Sequence, residues 1–269
     1  MVRKEPKFRK RLSEKQLRIL KLIYKFRFIS APLLCEVLEK SSTSVYTSLS
    51  ILVDQGYVGK RHDKSFRLSH TPAIYYLDTK SITLLREEDH PVFTEKSLRN
   101  MYKNKNMNRN MTYVNKCLRL MELYIALKGH YKETFIIFTK FELGAFEEFP
   151  NPPPDLYLRR NKPVEGRVTE FMLTMLEPNM PYFIHIKQLR RYQSHEEEEG
   201  WNTDYPYVLL VAPTDSVEKR LLKTIENTSQ EFEFYTSTFE RLTSANGKSA
   251  IWSDAFEENT RVSLNSIEP

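Results

Sequence analysis

Five hydroxyl side chains stand close together in the first part of the chain: Thr43, Ser44, Tyr46, Thr47 and Ser50. Hydroxyl groups of this kind can enter a DNA major groove and contact phosphates or base edges. They carry less information about base identity than Arg or Asn does. We therefore expect only modest sequence readout from each copy of the chain.

Four basic side chains follow shortly afterwards: Lys60, Arg61, Lys64 and Arg67. Residues 57–61 and 73–77 have the composition of two short strands, and the segment 62–70 between them is a basic loop. A two-stranded hairpin with a basic tip is suited to contact with phosphate groups. The pattern therefore predicts a second polar surface beside the hydroxyl side chains.

Capping signals predict the helices that precede the hydroxyl side chains. Ser13, with Gln16 three residues later, forms a capping box that starts a first helix, which should end near Arg27. Ser30 caps a second, shorter helix, and Pro32 lies in its first turn, where the missing N–H has no cost.

A third helix carries the hydroxyl side chains themselves. It is predicted from Thr43 to about Gln55, and Gly56 stands where a left-handed C-cap is expected. One face should be buried because its apolar residues recur at helical spacing: Val45, Leu49, Leu52 and Val53. The hydroxyl side chains lie on the other face. After the hairpin, Asp78 caps a further helix over residues 81–88.

The order of these elements is typical of a helix-turn-helix followed by a wing. The segments "LxxLxxxGYV" (49–58) and "YYLDTKS" (75–81), with the basic hairpin between them, resemble winged-helix regulators. This resemblance implies an N-terminal domain that binds double-stranded DNA, over residues 1–90. The alternative is a three-helix core whose hairpin contacts only protein.

The charge is unevenly distributed along the 269 residues, whose formal net charge is +6. Residues 1–105 hold 22 Lys and Arg against 11 Asp and Glu, whereas the remainder holds 19 against 24. The basic excess therefore coincides with the predicted helix-turn-helix, as expected for a polyanionic partner. Residues 91–110 are polar and basic, and we interpret them as a linker.

Residues 111–269 predict an α/β domain. Helices are expected at 111–128, ended by Gly129, at 181–199 and from Asp215 onwards. Strands are expected at 134–138, 155–158, 168–176, 207–211 and 231–235. Those at 134–138 and 207–211 are mostly apolar, as in strands buried on both faces, and the last alternates like an edge strand. The chain is thus α+β, and its second part has the order αβββαβ.

That order, with Pro154 and Asp155 opening the second strand, resembles the restriction-endonuclease-like core of the PD-(D/E)xK nucleases. The resemblance implies a divalent metal held by this Asp and by an acid-x-Lys pair on the third strand. Hard carboxylates bind Mg²⁺, and a Lys helps to activate water. The third strand here has no acid-x-Lys. Either a migrated site uses Asp155, Glu170 or Glu177, and Lys187, or Asp155 only starts a strand and the metal has been lost.

The combination of winged helix, linker and degenerate nuclease-like domain resembles the replication-relaxation family of plasmids and mobile elements. The shared motifs are "YYL" after the wing, "PDLYL" at 154–158, and the helix segment 187–192 before "VLLVAPT". The resemblance covers about residues 12–230. It implies a role in transcription regulation, replication or transfer of a mobile genetic element.

Other classes of chemistry lack their motifs. There is no GxxxxGK loop, no metal-binding cysteine spacing and no catalytic triad pattern, so we expect no cofactor and no metal. Cys35 and Cys117 are interpreted as buried thiols in a reducing compartment. No apolar run approaches the roughly 20 residues of a membrane span, and we expect a cytoplasmic protein with no membrane partner.

These observations predict a non-enzymatic DNA-binding protein. We expect a homodimer, because many winged-helix proteins read two half-sites as pairs. The C-terminal domain could also bind a protein partner. Two alternatives remain open: a metal-dependent DNA nuclease and a protein-only adaptor.

Overall fold

The computed structural model has a mixed α+β fold and divides into two compact units, residues 1–121 (unit 1) and 122–269 (unit 2). The structure describes residues 12–62, 66, 68, 70–88, 90–99, 101–144, 146, 148–197, 201, 205–226, 233–244, 250–257 and 260–267, without the side chains of 103, 104, 197 and 226. Among these residues, no helix has both the length and the apolar character needed to cross a membrane.

Unit 1 is built from short helices around a small sheet. Its helices are α1 (Glu14–Phe26), α2 (Ala31–Leu38), α3 (Ser42–Asp54), α4 (Thr79–Arg86), α5 (Glu95–Arg99) and α6 (Lys103–Met107). Its strands are β1 (Ile29–Ser30), β2 (Val58–Arg61) and β3 (Ile74–Leu77), arranged in the order β1-β3-β2 with both pairs antiparallel.

The predicted helix signals of unit 1 are confirmed. The backbone N–H of Ser13 donates to Gln16 Oε1 at 2.9 Å, which completes the predicted capping box at the start of α1. Ser30 is the N-cap of α2, although its side chain makes no capping bond, and Asp78 caps α4 by accepting from the N–H of Thr79 at 2.7 Å. Gly56 follows α3 with a φ of 74°, a left-handed conformation that favours glycine.

The two-residue strand β1 is not predicted by the sequence pattern. It is too short to show a period of two, and it forms because Ile29 and Ser30 pair with Tyr75 and Ile74 of β3. The pairing joins the segment between α1 and α2 to the hairpin. The segment between α1 and α2 therefore belongs to the same small sheet as the two strands of the hairpin.

Residues 91–110 differ from the predicted linker. They contain α5 and α6, and Leu98, Met101 and Asn106 are buried. The Asn106 side chain donates to the carbonyl of Met101 at 2.8 Å and accepts from Arg27 Nε at 3.0 Å. A polar composition suggested a solvated segment, but the asparagine is satisfied inside the unit by hydrogen bonds.

Helix α7 (Met111–Tyr131) crosses the division between the units, and the prediction that Gly129 ends it is wrong. Its other predicted boundary, Met111, is confirmed. Gly129 has no φ in the left-handed region, and an added Cβ would meet nothing within 4 Å. The glycine therefore lowers the helix propensity of this segment but does not end the helix.

Unit 2 is organised on a seven-stranded sheet in the order β10-β9-β8-β7-β6-β5-β4. Its strands are β4 (Phe135–Thr139), β5 (Leu156–Arg160), β6 (Glu170–Met175), β7 (Tyr207–Ala212), β8 (Phe234–Thr238), β9 (Trp252–Asp254) and β10 (Arg261–Val262). Its further helices are α8 (Lys140–Leu143), α9 (Tyr182–Glu197), α10 (Asp215–Glu226) and α11 (Phe239–Ser244).

The sheet of unit 2 is mixed. Strands β4, β5 and β6 form an antiparallel meander, whereas β6, β7 and β8 are parallel and are connected through α9 and α10. The carboxyl ends of the three parallel strands therefore lie at one edge of the sheet. The start of β5 lies at the same edge, because β5 runs antiparallel to β6.

The burial of the strands and their order in the sheet test three of the strand predictions for unit 2. Strand β7 is buried along Val208–Ala212, as predicted. Strand β4 is not buried on both faces, since Ile136 is 46% exposed. Strand β8 is buried and lies between β7 and β9, so the prediction of an edge strand at 231–235 is wrong. The alternating residues did not reveal that the C-terminal segments add β9 and β10.

Candidate functional site

The two faces of α3 differ in the way that the sequence predicts. Val45, Leu49 and Leu52 are buried with no solvent exposure. On the opposite side Thr43, Thr47 and Ser50 are exposed, and Tyr46 is 48% exposed. A large aromatic ring that is half in solvent, among small hydroxyl side chains, gives this face both hydrogen-bonding groups and an apolar contact.

Some hydroxyl groups of α3 already bond within unit 1. Thr47 Oγ1 donates to the carbonyl of Thr43 at 2.8 Å, and Lys15 Nζ donates to the carbonyl of Ser44 at 3.0 Å and to its hydroxyl. Ser44 is therefore partly buried and held by α1. Thr47 retains its acceptor lone pairs for an external donor.

Lys15, in the first turn of α1, makes a contact that the sequence pattern did not identify. It links α1 to the first turn of α3, since its ammonium group binds Ser44 across 29 residues of chain. The only local signal was its place in the first turn of an amphipathic helix. The first turn of α3 contains no acidic residue, so the positive charge of Lys15 reinforces the positive end of the helix dipole.

The hairpin places its predicted basic residues differently. Lys60 is exposed, whereas Arg61 is partly buried and its Nη1 donates to the carbonyl of Arg109 at 2.9 Å. Lys64 and Arg67 lie outside the described residues. Arg61 thus connects β2 to the segment before α7. Among the hairpin residues that the structure describes, Lys60 is the basic residue that is exposed to solvent.

Gly59 allows the close packing of the hairpin. It lies opposite Tyr76 in the β2–β3 register, and a Cβ at this position would be 2.3 Å from the tyrosine ring. Tyr76 is 3% exposed, so its ring is part of the core of the hairpin and is not available to stack on a base. The same conclusion applies to Tyr75, whose pKa is raised by burial.

Unit 1 has a strongly positive formal charge. Residues 1–121 hold 25 Lys and Arg against 11 Asp and Glu, a net charge of +14. Residues 122–269 hold 16 against 24, a net charge of −8. The unit that presents the α3 face is therefore the basic one, and the other unit is acidic.

The predicted metal ligand Asp155 is buried and already has partners. Its carboxylate accepts from Lys140 Nζ at 2.8 Å and from the backbone N–H of Met175 at 3.0 Å. Only 8% of its side chain and 19% of that of Lys140 is exposed. The aspartate therefore fixes the start of β5 to the end of β6, and Lys140, which the sequence did not single out, is its ion-pair partner.

The other predicted catalytic residues do not converge on Asp155. Glu170 lies at the opposite end of β6, five residues before Met175, which corresponds to about 16 Å along a strand. Lys187 is exposed on α9, and Glu177 is partly buried just after β6. Among the described residues, no group of three His, Cys, Asp or Glu side chains could hold a metal ion.

Glu170 belongs to a different environment. Arg159 Nε lies 3.3 Å from Glu170 Oε1, and both residues line a pocket of about 270 Å³ with the rings of Tyr157, Phe149 and Trp201. Burial and the hydrogen bond to Glu170 raise the pKa of Tyr157. Glu170 is thus engaged by a tyrosine and an arginine, away from Asp155.

Thr174 stands on β6 where the nuclease resemblance implies an acidic residue. Its hydroxyl bonds to the hydroxyl of Tyr192 on α9, which is completely buried. Burial raises the pKa of Tyr192 and lowers the pKa of the neighbouring His185, so both side chains favour their neutral forms. Tyr192 also contacts a cation, since the guanidinium carbon of Arg191 lies 5.0 Å from the centroid of its ring.

The chain matches no protein-family model, and no curated protein or solved structure is significantly similar to it.

Proposed function

We propose that this protein binds duplex DNA through unit 1, acting as a winged helix-turn-helix domain. In this proposal α3 enters the major groove, and the β2–β3 hairpin is the wing that follows the phosphate backbone. The observation that carries the proposal is the α3 surface: exposed hydroxyl groups and the ring of Tyr46 lie opposite a fully buried apolar face. This surface belongs to a unit with a formal net charge of +14.

The chemistry of the α3 face suits weak base readout. Thr43, Thr47 and Ser50 offer hydroxyl groups for base edges or phosphates, and Tyr46 offers a ring that can contact a thymine methyl group. No arginine or asparagine stands on α3 to bind a base through two hydrogen bonds. We therefore infer that affinity comes chiefly from phosphate contacts, and that pairs of chains combine two half-sites.

The biological role that we propose follows from the resemblance to the replication-relaxation family. The protein would serve a mobile genetic element as a transcription regulator, or as an accessory factor in replication or transfer. Unit 2 would be a nuclease-like domain that has lost catalysis and forms a platform for dimerisation or for a protein partner. The element order α7-β4-α8-β5-β6-α9-β7, in which α8 is a single short turn, supports this relationship, and the buried ion pair of Asp155 and Lys140 supports the loss of catalysis.

The experiment that tests DNA binding is a titration with labelled duplex DNA at several salt concentrations. Fluorescence anisotropy should give a logarithm of the binding constant that falls linearly with the logarithm of salt concentration, with a slope of about −0.9 per phosphate contact. Selection from a random duplex pool should then enrich a short motif. Absence of binding to any duplex at low salt would support the protein-only adaptor instead.

A metal-dependent nuclease is the second candidate, because Asp155 stands at the start of β5 beside the end of β6, the position at which the nuclease resemblance implies a metal-binding aspartate. Supercoiled plasmid incubated with the protein and Mg²⁺ or Mn²⁺ separates the two functions. The DNA-binding proposal expects intact plasmid. Cutting that is abolished in Asp155→Asn, while that variant still binds DNA, would establish the nuclease.

A further inference from the structure

Unit 1 contains a second basic region beyond α3 and the hairpin. Residues 96–121 include seven Lys and Arg and no Asp or Glu. This stretch holds α6, the first half of α7 and the short corner between them. The stretch therefore carries a local excess of positive charge within the chain.

Three arginines from distant parts of the sequence meet at this corner. The guanidinium carbons of Arg27 and Arg109 lie 5.2 and 4.8 Å from the ring centroid of Tyr113, and Arg61 donates to the carbonyl of Arg109 at 2.9 Å. Burial lowers the pKa of Arg27; Tyr113 opposes this shift, and the charge of Arg109 adds a smaller lowering. Like charges have therefore been brought together at a cost in electrostatic energy.

The three arginines have different exposures. Arg27 is 4% exposed and also donates to Asn106 Oδ1 and to the hydroxyl of Tyr113, so it supports the corner from inside. Arg109 is exposed, and neither it nor Arg61 forms an ion pair with a described residue. The backbone of Arg109 is fixed by Arg61, and its guanidinium group lies on the ring of Tyr113.

A guanidinium group held in this way is preorganised to bind an oxyanion through two parallel hydrogen bonds. Arg61 is the last residue of β2 and pairs with Ile74, so the corner lies at the end of the hairpin strands that leads into the loop. Asn108, Asn110 and Thr112 are exposed beside Arg109, and their amide and hydroxyl groups are further phosphate donors. The corner thus offers several donors that could contact the oxygens of one phosphate group.

We propose that Arg109, braced by Arg61 and Tyr113, binds a backbone phosphate of duplex DNA beside the hairpin. This inference rests on the proposed function, and it adds a third contact to α3 and the wing. The contact is independent of base sequence, since it reads only phosphate. It therefore contributes to affinity on every duplex, and it fixes the register in which α3 meets the groove.

The test is a salt titration of the full chain on duplex DNA, with the variants Arg109→Gln and Arg109→Lys. Arg109→Gln should reduce the magnitude of the salt slope by about 0.9, and should weaken binding to preferred and random duplexes by the same factor. Arg109→Lys keeps the charge, so the slope should stay close to that of the unmodified chain. Arg190→Gln removes one exposed arginine from unit 2 and should leave the slope unchanged.

The outcomes separate this inference from the function on which it rests. If the unmodified chain does not bind duplex DNA, the proposed function fails. If it binds with a salt-dependent constant and Arg109→Gln has the same slope and affinity, only the Arg109 contact is overturned. A loss of binding confined to the preferred sequence would also overturn it, because it would make Arg109 a base-reading residue. Circular dichroism of Arg109→Gln should match that of the unmodified chain, since the side chain is exposed.

Discussion

The α3 face of unit 1 and the Asp155 region of unit 2 are both rich in polar side chains, but they use them in opposite ways. On α3, Thr43, Tyr46 and Ser50 point into solvent. In unit 2, the carboxylate of Asp155 is buried and bonds to Lys140 and to the backbone of Met175. Polar groups that face solvent can exchange water for a ligand, whereas buried groups with complete bonding mainly hold the fold together.

The comparison is tested most strongly by removing Asp155. Asp155→Ala leaves the ammonium group of Lys140 without its anion and the N–H of Met175 without its acceptor, so we expect a loss of about 3–5 kcal/mol in the free energy of unfolding. Both tryptophans of the chain, Trp201 and Trp252, belong to unit 2. Tryptophan fluorescence during urea denaturation therefore reports on this unit.

Glu133→Ala is the matched control for that measurement, because Glu133 is an exposed carboxylate of the same unit. It should change stability by no more than about 0.5 kcal/mol. A cost below about 1 kcal/mol for Asp155→Ala would mean that the carboxylate is not a structural group. The region would then be open to a ligand, as α3 is.

Alkaline pH should distinguish the two units next. Burial raises the pKa of Tyr131 from 10 to about 12, against weaker lowering by its bonds to Trp252, Leu264 and Ser263. Below pH 10 the neutral phenol contributes its full stability. Between pH 10 and about 12 the unfolded chain loses this proton while the folded chain retains it, so stability falls by about 2–3 kcal/mol from this group.

The measurement is urea denaturation of the unmodified chain and of Tyr131→Phe at several pH values from 8 to about 12. Tyr131→Phe starts from a lower stability, because Trp252 Nε1 loses its hydrogen-bond acceptor at 3.0 Å. It should then decline less steeply as the pH rises. Equal slopes for the two chains would show that Tyr131 ionises as easily in the folded chain as in the unfolded chain.

The sequence predicts those parts of this contrast that depend on residues close together in the chain. It does not predict the parts that depend on contacts between distant residues. The two faces of α3 follow from a helical period within 13 residues, and the capping signals of α1 and α4 lie within three residues. The role of Arg61 depends on a carbonyl 48 residues away, and the partner of Asp155 stands 15 residues before it. No pattern along the chain specifies such contacts, because the register of the sheet and the packing of α6 decide them.

The exposed hydroxyl groups of α3 can be compared with an equivalent pair elsewhere in unit 1. Thr47 donates to the carbonyl of Thr43, and Thr83 on α4 donates in the same way to the carbonyl of Thr79. Both threonines are exposed, so Thr47→Ala and Thr83→Ala should have similar effects on stability. Only Thr47→Ala should change DNA recognition, with a loss of roughly five-fold, or about 1 kcal/mol, in preference for the selected motif over a scrambled duplex.

Competition binding between the two duplexes measures this preference directly. A similar loss in Thr83→Ala would show that the effect is transmitted through the fold and does not arise at a contact with a base. No change in Thr47→Ala would leave Thr43, Tyr46 and Ser50 as the readers of the groove. Those three substitutions could then be tested singly by the same competition.

The smallest effect is expected for the hairpin. Lys60→Gln removes an exposed charge at the proposed wing and should reduce the magnitude of the salt slope by about 0.9, with little change in sequence preference. Lys162→Gln removes an exposed charge from unit 2 and serves as the matched control. Lys60 is a cleaner probe than Arg61, whose substitution would also remove the bond to Arg109. If Lys60→Gln and Lys162→Gln have the same salt slope, the hairpin does not contact DNA. In that case α3 would bind the groove without a wing.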